Sequence, residues 1–394
     1  MAYAFDLGDV AFLSSDEGER ALAGLAGRSL TASSRMADVA AARDLVGTRF
    51  AAAALETAVL RRRAESKVDF AATGLFTDDA LQQATARPVA RHRAQRLSGR
   101  DVHDVTCSIG ADLREVRRVA DRCLGSDVDP VRLGMARHNL GGAHLVRADA
   151  LRPVTTSTAV LADPGRRSGG ERRWDPKQLE PPLGDLLDVY SGRDLVVKSA
   201  PGMDFDVVPA GAEIELVSLG GGVREASLWF GDLATPGVRR RASVLGNDGS
   251  QWTVVDAEPD DCPVRDVGEW LVDPDGAVVR AGLVRQYAAR HGLGQLDPRI
   301  AYLTGEQPPP GTRAFRVLDH VRYGDKHLRA ALRRHDVGRL EILVRGLDVD
   351  PDALRRRLKP RGEQQATLVL TRVGDAATAF LCRAEVTGPR PAGP

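Results

Sequence analysis

Cysteine is scarce in this 394-residue sequence: Cys107, Cys123, Cys262 and Cys382 form neither a CxxC pair nor a Cys/His ligand spacing. That pattern argues against a disulfide framework and against a zinc site, so no metal is expected. Net charge is missing as well, because 55 Lys and Arg are matched by 54 Asp and Glu. A nucleic-acid partner would therefore have to meet a local basic patch. No apolar run approaches the roughly 18 residues of a membrane helix. The opening MAYAFDLGDVAFLSSDEGER is acidic and lacks the basic and apolar regions of a secretion signal. The expectation is a cytoplasmic protein in a reducing compartment, with no membrane partner.

What is present is an ordinary globular composition, 43% hydrophobic, in a chain long enough for two or three domains. Residues 14–97 read as helical, with apolar positions recurring at three- and four-residue spacing in ERALAGLAGRSL, MADVAAARDLV and RFAAAALETAVLRRRAE. Ser14 with Glu17 predicts a capping box, and Thr77 predicts the N-cap of a further helix, DDALQQATARPVARHRAQRL, kinked at Pro88. From about residue 101 the apolar runs VHDVTC, RCLGSDV, AHLVRAD, TAVLADP and DLVVKSA alternate with the helical patterns DLREVRRVA, DPVRLGMARHNL and DPKQLEPPLGDLLDVY. That alternation is the signature of βα units on a parallel sheet. EIELVSLGGGVREASLWFG then closes the pattern as an antiparallel hairpin. The expected fold class is α/β: an N-terminal helical domain (1–97), a Rossmann-like doubly wound domain (98–235), a connecting β/α region (236–312) and a small basic α/β domain with a disordered tail (313–394).

In an open parallel sheet, ligands bind outside the carboxyl ends of the strands, at the switch point. The residues after each expected strand agree with one another. DVTCSIGAD offers Gly110 and a helix N-terminus; GSDVDP offers Asp127, 17 residues beyond Gly110, where a carboxylate can accept from ribose hydroxyls. RADAL offers Asp149 to an adenine amino group, and VLADPGRRSGG places Asp163, Pro164, Arg166 and Arg167 after the fourth strand. An adenosine-bearing cofactor fits this order. A dinucleotide wants GxGxxG around its pyrophosphate, and CSIGAD supplies one glycine of three. S-adenosylmethionine has no phosphate to cradle.

With these residues the sequence resembles the class I S-adenosylmethionine-dependent methyltransferases. Phe70 to about Gly231 resemble bacterial methyltransferases that carry a C-terminal THUMP-like domain and, more distantly, the trimethylguanosine synthases. The likeness lies in GLFTDDALQQATARPVA, in DVTCSIGAD against D-x-x-C-G-x-G-G, in GSDVDPVRLGMARHNL and RADA, and in ADPGRRSGG with WDP and PPL. LDHVRYGDKHLRAALRRHDVGRLEILVRG, DVDPDALRRRLKPRG and ATLVLTRV resemble the THUMP-like module. The resemblance implies S-adenosylmethionine as cofactor, with Thr77, Asp104, Cys107, Ser108 and Gly110 around its methionine end and sulfonium. It implies Asp127 and Val128 at the ribose, and Asp149 and Ala150 at the adenine. Asp163 and Pro164 match the family's acid-proline motif and would be catalytic, their carboxylate and main-chain carbonyl accepting the N–H groups of a nitrogen aimed at the methyl. Arg166 and Arg167 would hold a phosphate or stack on a base, and Trp174 is the nearest aromatic, since Gly165 stands where the motif's aromatic is usual. The implied reaction is methylation of a base nitrogen in RNA. Ser108 and Ala111 replace two loop glycines, which leaves open a protein that binds cofactor and nucleic acid without turnover.

Other residues have plainer readings. Asp129 before Pro130 is an N-cap, His138 with Asn139 ends a helix, and Cys107 packs without a nucleophilic role. Lys198 either faces the substrate or snorkels to solvent, and Trp229 with Phe230 belongs to the core. Arg313 to Arg361 holds 14 Lys and Arg against 7 Asp and Glu, enough to attract phosphates, so RNA is the expected partner.

Overall fold

The computed structural model describes residues 3–166 and 179–386. The chain forms two compact units, one ending at Arg239 and including Leu245–Gln251, the other made of Arg240–Val244 and the residues from Trp252 onward.

The first unit opens with three helices, α1 (Leu7–Leu13), α2 (Asp16–Ala26) and α3 (Arg35–Ala64), which bury Leu13, Leu22, Leu25 and Leu60 in one cluster. Sequence periodicity misses α1, whose seven residues are too few to show it; a reciprocal Asp6/Asp9 capping box starts it. The expected box at Ser14 is displaced by one residue. Ser14 ends α1, and Ser15 begins α2 by accepting from the Gly18 N–H at 3.2 Å. Gly47, at φ 71 and ψ 172, interrupts α3 between the two expected helical patterns. The single kinked helix expected after Thr77 is instead two, α4 (Asp78–Gln83) and α5 (Arg87–Gln95). Pro88 stands in the first turn of α5, where its missing N–H has no helical partner to lose, and Ala84 and Ala86 leave the helical region before it.

The sheet of this unit follows, with β1 (Asp101–Asp104), α6 (Ala111–Val116), β2 (Arg122–Asp127), α7 (Pro130–Leu140), β3 (His144–Arg147) and β4 (Ala159–Ala162). Two short strands, β5 (Gly165–Arg166) and β6 (Leu179–Glu180), pair with each other; then come α8 (Leu183–Val189), β7 (Leu195–Ser199), β8 (Glu213–Leu219) and β9 (Gly222–Phe230). The order β8-β9-β7-β4-β1-β2-β3 has five parallel strands, with β9 antiparallel to both β7 and β8. Val160, Leu161, Val196 and Val197 are fully buried, as continuous apolar runs covered on both faces should be. The helix expected from Asp175 starts only at Leu183, because Pro181 and Pro182 cannot supply helical N–H donors; residues 175–178 lie outside the described residues. Beneath the sheet, Arg96 at the end of α5 grips Glu213 and Glu215 of β8 at 2.7–2.9 Å and lies 3.9 Å from the buried Trp229 ring, whose Nε1 donates to Glu215.

The chain continues through β10 (Arg240–Leu245) and β11 (Gln251–Val255). In the second unit β12 (Trp270–Val272), α9 (Gly276–Ala281), α10 (Val284–Arg290), β13 (Gly294–Asp297), β14 (Ile300–Gly305), β15 (Arg313–Arg322), α11 (Asp325–Arg334), β16 (Val337–Arg345), α12 (Pro351–Leu358), β17 (Gln364–Val373) and β18 (Ala376–Val386) build a seven-stranded sheet of order β13-β14-β12-β15-β18-β17-β16. β16 and β17 are parallel across α12, and the other pairs are antiparallel. Leu328 and Leu332 of α11 and Leu354 and Leu358 of α12 pack with Leu340, Ile342, Leu368 and Leu370 of the sheet. β12 pairs with β15, so residues on both sides of position 312 share one sheet.

Candidate active site

The strand order changes direction at β1, and there a cleft of about 650 Å³ opens, lined by the loops after β1, β2, β3 and β4. Asp104, Cys107, Ser108, Asp127, Val128, Asp149, Ala150 and Asp163, all expected from the sequence, line it together. Thr77, Gly110 and Pro164 do not. Thr77 caps α4, accepting the Ala80 N–H at 3.1 Å, and so presents Asp79 and Gln83 of that helix to the cleft. Gly110 turns the chain into α6 at φ 86, with Leu140 only 2.8 Å from where a Cβ would stand. Pro164 lines a neighbouring cavity. Arg166 contributes main chain to β5, while Arg167 and Trp174 lie outside the described residues.

Ser108 takes the left-handed conformation, φ 49, that the loop requires although it is not glycine. Its N–H donates to Asp127 Oδ2 at 2.8 Å, and the Asp129 N–H donates to Asp127 Oδ1 at 2.9 Å. One carboxylate thus joins the loops after β1 and β2. Asp129 itself caps α7, accepting from the Val131 and Arg132 N–H groups at 2.8 and 3.1 Å. Asn139 does more than end α7. Its Nδ2 donates to the carbonyls of Leu75 and Ile109 at 3.0 and 2.9 Å, and its Oδ1 accepts the Leu75 N–H at 2.7 Å. Sequence reasoning misses this because a buried asparagine and a helix-ending one look alike in one dimension.

The cleft is strongly acidic. Among the described residues nine carboxylates line it against one guanidinium, that of Arg132. Such a field attracts a cation and opposes the pyrophosphate of a dinucleotide. Asp104 is buried; burial and then the neighbouring Asp112 and Asp163 push its carboxyl well above the usual range. Val128, 57% exposed, offers an apolar surface beside Asp127. These residues fit the adenosine and the cationic methionine end of S-adenosylmethionine.

A buried ionic network lies against the Asp163 wall. Asp112, in the first turn of α6, accepts from Arg93 at 2.6 Å, Thr85 at 3.0 Å and Lys198 at 3.3 Å. Burial disfavours its charge, yet Arg93 and Lys198 hold it below the ordinary carboxylate range. Lys198, 6% exposed, donates to Thr85 Oγ1 at 2.6 Å and to Asp163 Oδ2. Burial opposes its charge as well, and Asp112 with Asp163 outweighs that and raises its pKa. Lys198 therefore does not snorkel. The Asp163 N–H donates to Thr106 Oγ1 at 2.6 Å, which fixes the residue at its main chain as well. Asp112, two positions past Gly110, had a signal in the sequence; Arg93 and Thr85, placed by α5 and the loop before it, had none. A second cavity, of about 460 Å³, shares Gln83, Ala84, Asp163 and Gly165 with the cleft.

Two uncharacterized S-adenosylmethionine-dependent methyltransferases of Mycobacterium tuberculosis, from strains CDC 1551 / Oshkosh and ATCC 25618 / H37Rv, are each 55% identical to this chain over 346 residues, covering 84% of it and 96% of their own length. The chain belongs to the S-adenosylmethionine-dependent methyltransferases. Residues 312–384 of the methyltransferase match the family described as THUMP domain-like, and residues 6–64 match a domain of unknown function. A methyltransferase candidate of Porphyromonas gingivalis W83, solved by crystallography, shares the fold with a TM-score of 0.74 at 18% identity, over 98% of this chain and 100% of that one. The dinucleotide alternative falls with this assignment.

Proposed function

We propose that this methyltransferase transfers the methyl group to a base nitrogen in RNA, with Asp163 and Pro164 as the residues that orient the acceptor. One observation carries the reading: the Asp163 carboxylate, at the end of β4, stands in the wall shared by the donor cleft and the second cavity. S-adenosylmethionine in the cleft supplies an electrophilic methyl on a sulfonium. Lys198 engages Oδ2 of Asp163 and Thr106 engages its N–H, so Oδ1 and the Pro164 carbonyl can accept the N–H groups of an incoming nitrogen. The left-handed Ser108 keeps the donor loop's shape where glycine is usual, which supports cofactor binding despite the substitution.

The RNA part of the proposal draws on the second unit. A cavity of about 510 Å³ there is lined by Arg329, Arg333, Arg357, Lys359 and Arg361 against the single acid Asp336. A cluster of this kind suits phosphates. We infer a cytoplasmic setting from the four free cysteines; among the described residues no helix is long and apolar enough to cross a membrane. Incubating the protein with methyl-tritiated S-adenosylmethionine and total RNA, then digesting to nucleosides, should yield a base-methylated nucleoside. Asp163→Ala should lower that yield by roughly 100-fold or more, the order expected when a positioned acceptor contact is lost. Label confined to protein or DNA would overturn the proposal.

A further inference from the structure

The second cavity differs in character from the donor cleft. Lys67 and Arg224 bring positive charge to its lining, Val89, Pro164 and Ala200 bring apolar surface, and the hydroxyl of Ser199 is buried without a hydrogen-bond partner among the described residues. Its boundary with the cleft contains Asp163, and Lys198 is part of its lining while bonding that carboxylate. Resting on the proposed reaction, we propose that this cavity is the acceptor pocket, and that Lys198 makes it selective for a neutral nitrogen bearing at least one hydrogen.

The selectivity follows from what a lysine does to a carboxylate. With Oδ2 held by an ammonium, Asp163 presents an acceptor and not a donor, so a carbonyl or ether oxygen meets repulsion there while an N–H meets a partner. A nitrogen lone pair is nucleophilic while neutral, whereas a hydroxyl needs its proton removed first, so an acceptor carboxylate held in this way suits the nitrogen. The nitrogen lone pair forms the new N–C bond as the C–S bond breaks, its electron pair remaining on sulfur. The positive charge passes from sulfur to nitrogen, and the N–H proton, now acidic, leaves to Asp163 and then to water. Lys67 and Arg224, set in a lining that also holds Asp163 and Glu225, suit an acceptor attached to a phosphate chain.

Lys198 of β7 faces Asp163, with Asp112 of α6, Asp104 of β1, Arg93 of α5 and Glu225 of β9 in the same network and Lys67 close to Lys198. Replacing Lys198 by methionine removes the ammonium that holds Asp163 Oδ2. Transfer should then fall about tenfold or more in kcat with S-adenosylhomocysteine affinity unchanged, and Lys198→Arg should restore it. A purely structural lysine would lower stability and donor affinity together. An unchanged kcat overturns the role of Lys198.

The pocket itself is tested by Ala200→Phe, which fills it without touching the donor cleft. Labelled S-adenosylmethionine is offered to RNA, DNA and protein from a total cell extract, and S-adenosylhomocysteine affinity is measured by calorimetry. We expect unchanged affinity and transfer reduced roughly 100-fold. If the wild type labels RNA and Ala200→Phe does so equally well, the pocket is wrong and the RNA reading stands. Label on a protein or DNA nitrogen that Ala200→Phe abolishes leaves the pocket standing and removes RNA. A methylated oxygen or carbon overturns the selectivity, and no transfer to any of the three overturns both.

Discussion

Single side chains in this methyltransferase act on more than one loop at a time. Asp127 holds main-chain N–H groups of Ser108 and Asp129, so its loss should disturb both loops at the cleft. Asp127→Ala is expected to weaken S-adenosylhomocysteine binding about tenfold or more, equivalent to roughly 1.4 kcal/mol or more, by calorimetry; equal affinity would remove the ribose assignment. Asp104 behaves in the opposite sense. Its pKa is raised in the folded state, so its favourable contribution is complete below the unfolded carboxyl pKa and is lost as pH rises through the folded value. Above that value the buried charge is a burden that a cationic ligand relieves. Asp104→Asn should therefore raise the melting temperature of the ligand-free protein at pH 7.5 while weakening S-adenosylmethionine binding. In the wild type, donor affinity should strengthen as pH rises towards the raised Asp104 value, because binding a cation beside Asp104 releases a proton.

At the scale of elements, the loop after β1 shows what one dimension can carry. The strand ends were legible because β4 and β7 are largely apolar and the runs holding β1 and β2 alternate with helical patterns; Asp104 and Asp127 close β1 and β2, and Asp163 follows β4. The resemblance to a methyltransferase then supplied their order of use. What could not be read was which residues the helices bring in from far along the chain: Arg93 and Thr85 reach Asp112 across 19 and 27 positions, and Lys198 reaches it across 86. Turn chemistry was hidden for a different reason, since Ser108 adopts a conformation its residue type does not advertise. Gly110 is the converse, a glycine whose need is visible. Gly110→Ala should cost about 2 kcal/mol, from the positive φ and the contact with Leu140, and a shifted denaturant midpoint at unchanged slope would show it.

For the whole molecule, the sequence's near-zero net charge conceals a division of labour. Within the first unit an acidic cleft suits a cation, and within the second a basic cavity suits phosphates. If the latter carries RNA, Arg361→Ala should reduce the slope of log affinity against log salt by about one while leaving donor affinity untouched, as titrations of RNA at several ionic strengths would show. An unchanged slope would place the RNA contact elsewhere.

The three hydrogen bonds of Asn139 bear on how this enzyme can be shortened. They fasten the donor loop at Ile109 to Leu75, a residue upstream of the first strand, and Arg93 and Thr85 from the same upstream stretch anchor Asp112. A fragment beginning at the Rossmann-like sheet would retain Asp104, Asp127, Asp149 and Asp163 of the cleft and yet lose what keeps their loops still. Such a minimal core should fold poorly and capture little donor, because the N-terminal stretch both steadies these loops and lends Asp79 and Gln83 to the cleft.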